Sequence, residues 1–216
     1  MELVAIIHQL KAEIASFPSI RSKNMAVSGQ ESHATQRKTK KSKTKRPFDF
    51  SKYNKRHIAL RIAYLGWDYQ GFASQENTEK TIEAELFEAL TKTRLIESRA
   101  EAKYARCGRT DKGVSAFGQV ISIDLRSNLL EGPGVIQTPG GTAHLRPGNK
   151  EQEIEYTHIL NRVLPDTIRC LAWTPVESSF DARFSTLYRT YKYFFPRGDL
   201  DIAVSMKDYM WPGMAK

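Results

Sequence analysis

The sequence has little cysteine: two residues in 216, Cys107 and Cys170, far apart and in no CxxC pair. That argues against a disulfide scaffold or a cysteine zinc site, and a reducing compartment is expected. Its five histidines, at 8, 33, 57, 144 and 158, nowhere show ligand spacing. There is no HxH, HExxH or GxxxxGK[ST] string, so neither a metal nor a bound nucleotide cofactor is expected. Gly132–Gly141 does not lead from a strand into a helix, as a dinucleotide loop would. No apolar run approaches the roughly 18 residues of a membrane span, so no membrane partner is expected. Met1–Gln9 carries a five-residue apolar stretch without a basic leader or a small-residue cleavage site, and a secretory signal is not expected.

What is present suits a globular protein of one substantial domain or two small ones, with 40% hydrophobic and 10% aromatic residues. The formal net charge is +9. Residues 1–56 hold 13 Lys and Arg against 4 Asp and Glu, and residues 57–216 hold 20 of each. The basic excess is therefore a tail and not a basic globule. Any nucleic-acid site in the globular part must be a local arrangement of charge.

Leu3, Ile7, Leu10, Ile14 and Phe17 recur at helical spacing, which predicts a short amphipathic helix within residues 1–17. Residues 18–56 read as a disordered basic linker. Within it, Arg37–Arg46 (RKTKKSKTKR) carries seven cations in ten positions. Such a run is a candidate nuclear-import signal, giving a nuclear and cytoplasmic location, or an arm for RNA phosphates; the alternative is a solubilising tail.

Periodic structure begins at His57. Alternation predicts strands at His57–Tyr64, Lys103–Cys107, Gln119–Leu125, Ile168–Val176 and Leu187–Phe195. Thr81–Leu95 and Tyr156–Leu164 read as helices, and the Gly- and Pro-rich residues 128–150 as a mobile surface loop. The order is β-α-β-β-α-β plus a further strand: an α+β, ferredoxin-like antiparallel sheet with two helices on one face. Such a sheet hosts many activities and does not define one.

Arg106–Phe117 (RCGRTDKGVSAF) carries the chemistry. Gly108 and Gly113 permit tight turns and close approach of a ligand. Arg106, Arg109 and Lys112 surround Asp111, favouring its ionised form or facing phosphates. Asp111 is then a candidate nucleophile or base; the alternative is a structural Arg–Asp pair pinning a hairpin. Cys107 reads most simply as a packing thiol.

GRTDKGV resembles the active-site signature of the TruA-type tRNA pseudouridine synthases. The resemblance runs from about His57 to Phe195 and includes QGFASQ and FDARFSTLYRTYKYFF. CGRTDKGVSAFGQVISIDLRS is especially similar to the eukaryotic branch acting at tRNA positions 38 and 39. It implies the N-terminal half of the pseudouridine synthase fold over residues 57–200, without metal or cofactor. It also implies that Asp111 is the catalytic aspartate, that Arg109 pairs with it and holds the flipped nucleotide, and that Tyr191 stacks on the target base. Arg106 and Lys112 are candidate phosphate contacts. The family's partners are tRNA and a second copy of the chain. Residues 201–216 match nothing familiar in the family, which resembles a truncated or alternatively terminated product. The rival readings are an RRM-shaped RNA-binding module, against which the lack of an RNP1 string counts, and an inactive truncated isoform.

Overall fold

The alternation in the first strand places Ile58, Leu60, Ile62 and Tyr64 on one face, and all four are buried. In the computed structural model, which describes residues 47–194, this strand is β1, Asn54–Tyr64. It is followed by helix α1 (Ile82–Lys92), β2 (Ala105–Arg106), β3 (Ala116–Ser127), β4 (Val135–Ile136), helix α2 (Tyr156–Asn161) and β5 (Ile168–Pro175). The fold is α+β, and the sheet is antiparallel in every pairing. The strand β1 lies at its centre, with β3 and then β2 on one side and β4 and β5 on the other. Setting β4 aside, the order β2-β3-β1-β5 is the one the ferredoxin-like reading requires.

One core joins the sheet to both helices. Ile58, Leu60 and Ile62 meet Ile121, Ile123 and Leu125 across β1 and β3, and Leu86, Leu90 and Leu160 complete the cluster from the helices. Full burial of each such side chain stabilises by about 1.5–3 kcal/mol. Thr81 starts α1, its hydroxyl accepting from the Ala84 N–H at 3.2 Å. Glu83 and Glu85 occupy the first turn and Lys92 the last, as the helix dipole favours.

Three expectations are corrected. Residues 48–56, assigned to the disordered linker, are folded: Phe50–Lys52 form a 3₁₀ turn and β1 begins at Asn54. The segment 128–150 is not a free loop, because β4 pairs with Lys55 and Arg56 and the His57 N–H donates to Gly134 O at 2.7 Å. Gly134 lies at φ +72, and a Cβ there would come within 2.6 Å of His57 O, so this docking needs glycine. Leu187–Phe194 is not a strand; no described strand pairs with it, and alternation alone supplies no ladder partner. The helix read within 1–17, the run Arg37–Arg46, Phe195 and the tail 201–216 lie outside the described residues.

Candidate active site

The strand β1 ends at Tyr64, directly opposite Ala116 at the start of β3. The β2–β3 connection that carries Asp111 therefore sits at this end of the sheet, beside the loop after β1. The two loops are bonded to each other. The Phe72 N–H donates to Thr110 O at 3.0 Å, and the Gly113 N–H to Tyr69 O at 3.2 Å. The Gly66 N–H donates to the Ser115 hydroxyl at 2.9 Å. The hydroxyls of Tyr64 and Thr110 are 2.8 Å apart.

Glycines let the two backbones touch. A Cβ on Gly66 would lie 1.9 Å from Val114 O, and one on Gly71, at φ +104, would lie 3.1 Å from Thr110 O. Asp111 O accepts from the Val114 N–H at 3.1 Å, closing a turn in which Gly113 takes φ +79. GRTDKGV thus folds by fixing its backbone and its Thr, while Arg109, Asp111 and Lys112 stay exposed.

The cations around Asp111 divide. Arg106 points to Glu83, 2.5 Å away, and not to the aspartate. Arg99 reaches the other Glu83 oxygen at 2.6 Å, and the Ser74 N–H donates to it at 2.9 Å. Burial pushes the Glu83 carboxyl up, and the Ser74 N–H with the two guanidiniums outweighs this and holds it below its ordinary value. No ion pair joins Arg109 to Asp111 among the described residues, where both side chains face solvent. Glu83 was not recognised from the sequence, where it is one acid among several in an amphipathic helix.

Tyr191 is brought to the same place by the chain after β5. Arg189, two residues earlier, donates through Nε to Cys107 O at 2.6 Å and also through Nη2, tying the segment to the entry of the Asp111 loop. Tyr191 itself is 63% exposed, so it is not a core tyrosine. Tyr64, by contrast, is buried, and that burial pushes its phenol up to about 12 against the opposing hydrogen bond with Thr110. Sequence reading missed Tyr64 and Arg189. A tyrosine ending a buried strand face, and an arginine in LYRTYKY, were the available signals.

The Cys107 sulfur accepts from the Val120 N–H at 3.4 Å, and Cys170 is fully buried, its thiol pushed up to about 12 by that burial. Val114 and Trp67, on the loops around Asp111, and Phe117, at the start of β3, are exposed apolar side chains. No three His, Cys, Asp or Glu side chains gather as metal ligands among the described residues. No described helix is long and apolar enough to cross a membrane.

A ferredoxin-like α+β sheet with an anchored, carboxylate-presenting loop and an exposed tyrosine beside it defines a class of site but not its substrate. No family model matches the chain. It is 56% identical over 201 residues, 93% of its own length, to the tRNA pseudouridine(38/39) synthase of Homo sapiens. It is 66% identical over 161 residues to the protein of that name from Mus musculus, and 45% over 173 residues to that from Saccharomyces cerevisiae. These matches take in 74% and 76% of the chain. The chain is thus a homologue of the tRNA pseudouridine synthases of TruA type. It spans 40%, 33% and 36% of the lengths of these three relatives.

Proposed function

We propose that this chain carries the catalytic loop of a tRNA pseudouridine synthase acting in the anticodon arm, at positions 38 and 39. The observation that carries the reading is the GRTDKGV loop, whose backbone is bonded in place while Asp111 is presented to solvent beside the Tyr191 segment. The relatives' names supply the substrate and the positions.

The reaction is an isomerisation. The N1–C1′ bond of uridine breaks, the uracil turns, and a C5–C1′ bond forms. The C5 hydrogen leaves as a proton, and N1 ends protonated. A uridine stacked in a stem or ordered loop must be extruded first. In this reading Tyr191 stacks on the extruded base, worth about 1–3 kcal/mol. Asp111 is the reacting carboxylate, as nucleophile or base. Arg109 and Lys112, free of carboxylate partners in the described structure, take phosphates flanking the target. Arg106 acts through Glu83, holding the strand that enters the loop. Assembly as a homodimer and a nuclear and cytoplasmic location belong to the same reading.

Release of tritium from tRNA labelled at uridine C5 tests it, assayed with the chain in its full-length context. Release that stops in Asp111→Asn while tRNA binding persists is the expected result. Binding without any release from the parent protein would make this an RNA-binding module and overturn the reading.

A further inference from the structure

At the opposite end of β1, three arginines surround two aromatic rings. The Phe48 and Tyr53 rings stack with centroids 5.2 Å apart and planes 20° from parallel. The Arg126 guanidinium carbon lies 5.3 Å from the Phe48 ring and 4.7 Å from that of Tyr53. Arg94 is 5.3 Å from Phe48, and Arg146 is 4.7 Å from Tyr53. The three come from 94, 126 and 146, so only the fold assembles them.

None of the three has an ion-pair partner among the described residues. Most of the acids nearby are already engaged. Glu153 holds Arg56 at 3.0 Å and also accepts from Ser127 and Asn128. Asp49 pairs with Lys52 and Glu101 with Lys55, while Glu97 lines, with Phe48, Tyr53 and Arg126, a groove of about 660 Å³. Burial lowers the proton affinity of Arg126; Arg146 acts in the same direction, and Tyr53, Tyr156 and Glu153 oppose it. The Nε of Arg146 is buried and hydrogen-bonds nothing. Arg94 follows the C-cap of α1 at φ +56, a left-handed position where glycine or asparagine is usual. Arg126 donates through Nε to Arg94 O at 2.8 Å and Arg146 through Nη2 to Asn128 O at 3.0 Å, contacts that bring no counter-charge to the three collected cations.

We propose that this cluster is a second RNA-contacting site, which binds the sugar–phosphate backbone of tRNA away from the target nucleotide. The inference rests on the tRNA reading above. Guanidiniums carry phosphate recognition, and the two rings hold them in place. Arg46, the last residue of the seven-cation run, lies two residues before Phe48 in the sequence. Eleven residues of β1 separate the cluster from Tyr64, which bonds Thr110 in the Asp111 loop. At about 3.3 Å per residue this is roughly 35 Å. A minimal anticodon hairpin seated at Asp111 does not extend that far, whereas a whole tRNA does.

The test uses the full-length chain with the triple variant Arg94→Gln/Arg126→Gln/Arg146→Gln. Affinity for whole tRNA and for an anticodon hairpin is measured across a salt series, beside tritium release from the hairpin. The slope of log K against log salt for whole tRNA should fall by about 1 for each arginine that meets a phosphate. Hairpin affinity and turnover should stay unchanged. The triple Lys variant should recover most of the slope, and Arg94→Gln alone, at an exposed position, reads the effect if the triple variant does not fold. An unchanged slope in Arg94→Gln and in the triple variant overturns the second site and leaves the tRNA reading standing. So does equal loss on hairpin and tRNA. A parent protein that binds neither RNA overturns both.

Discussion

Glu83 is the side chain on which the entry to the Asp111 loop depends most. Its carboxylate is buried and accepts from the Ser74 N–H, Arg99 and Arg106, joining the first turn of α1 to the loop after β1 and to β2. In Glu83→Gln the amide oxygen keeps the Ser74 bond, but the two guanidiniums lose their counter-charge. Removing one partner of a buried pair costs about 3–5 kcal/mol. Here the arginine side chains are 47% and 20% exposed, so water repays part of the loss. About 2–3 kcal/mol is expected to remain. For a domain of this size that lowers Tm by roughly 4–12 °C. The pH dependence follows from the depressed carboxyl. Its stabilisation is fully present above the ordinary glutamate value of 4.5 and is lost as pH falls through the lower folded-state value. The gap between parent and variant should therefore be widest near neutrality and narrow in acid. Thermal unfolding followed by circular dichroism between pH 7 and about 3 reads both. An equal Tm at neutral pH, or a gap that widens in acid, would refute the reasoning.

Asp111→Asn should lower tritium release by at least about 10³-fold, as expected for a directly reacting group, with tRNA affinity equal or slightly tighter. Filter binding beside the release assay separates this from unfolding, in which both would fall together. Tyr64→Phe deletes one hydroxyl pair and should cost about 1 kcal/mol of stability while lowering kcat more than it raises KM, because Thr110 is loosened next to Asp111. An unchanged kcat would show that this bond does not position the loop. Gly66→Ala places a methyl 1.9 Å from Val114 O, so the loops must separate; a loss of at least about 2 kcal/mol and of activity is expected in urea unfolding and turnover.

Much of this protein was legible in local sequence. A strand with one buried face alternates, and His57–Tyr64 and Gln119–Leu125 show that alternation without reference to anything else in the chain. The capped, dipole-ordered pattern of α1 is equally local. GRTDKGV stood out by its resemblance to a family signature, whereas its residues by themselves left a structural Arg–Asp pair open. Pairing and charge partnership were decided only in three dimensions. Val135–Ile136 is a strand because Lys55 and Arg56 offer it a ladder, whereas Leu187–Phe194 alternates as well and finds none. Three cations near Asp111 in sequence gave no hint that Arg106 belongs to Glu83, 23 residues away. Nor could spacing bring Arg94, Arg126 and Arg146 to one pair of rings. Periodicity reports which way a side chain faces; the fold alone determines what it meets there.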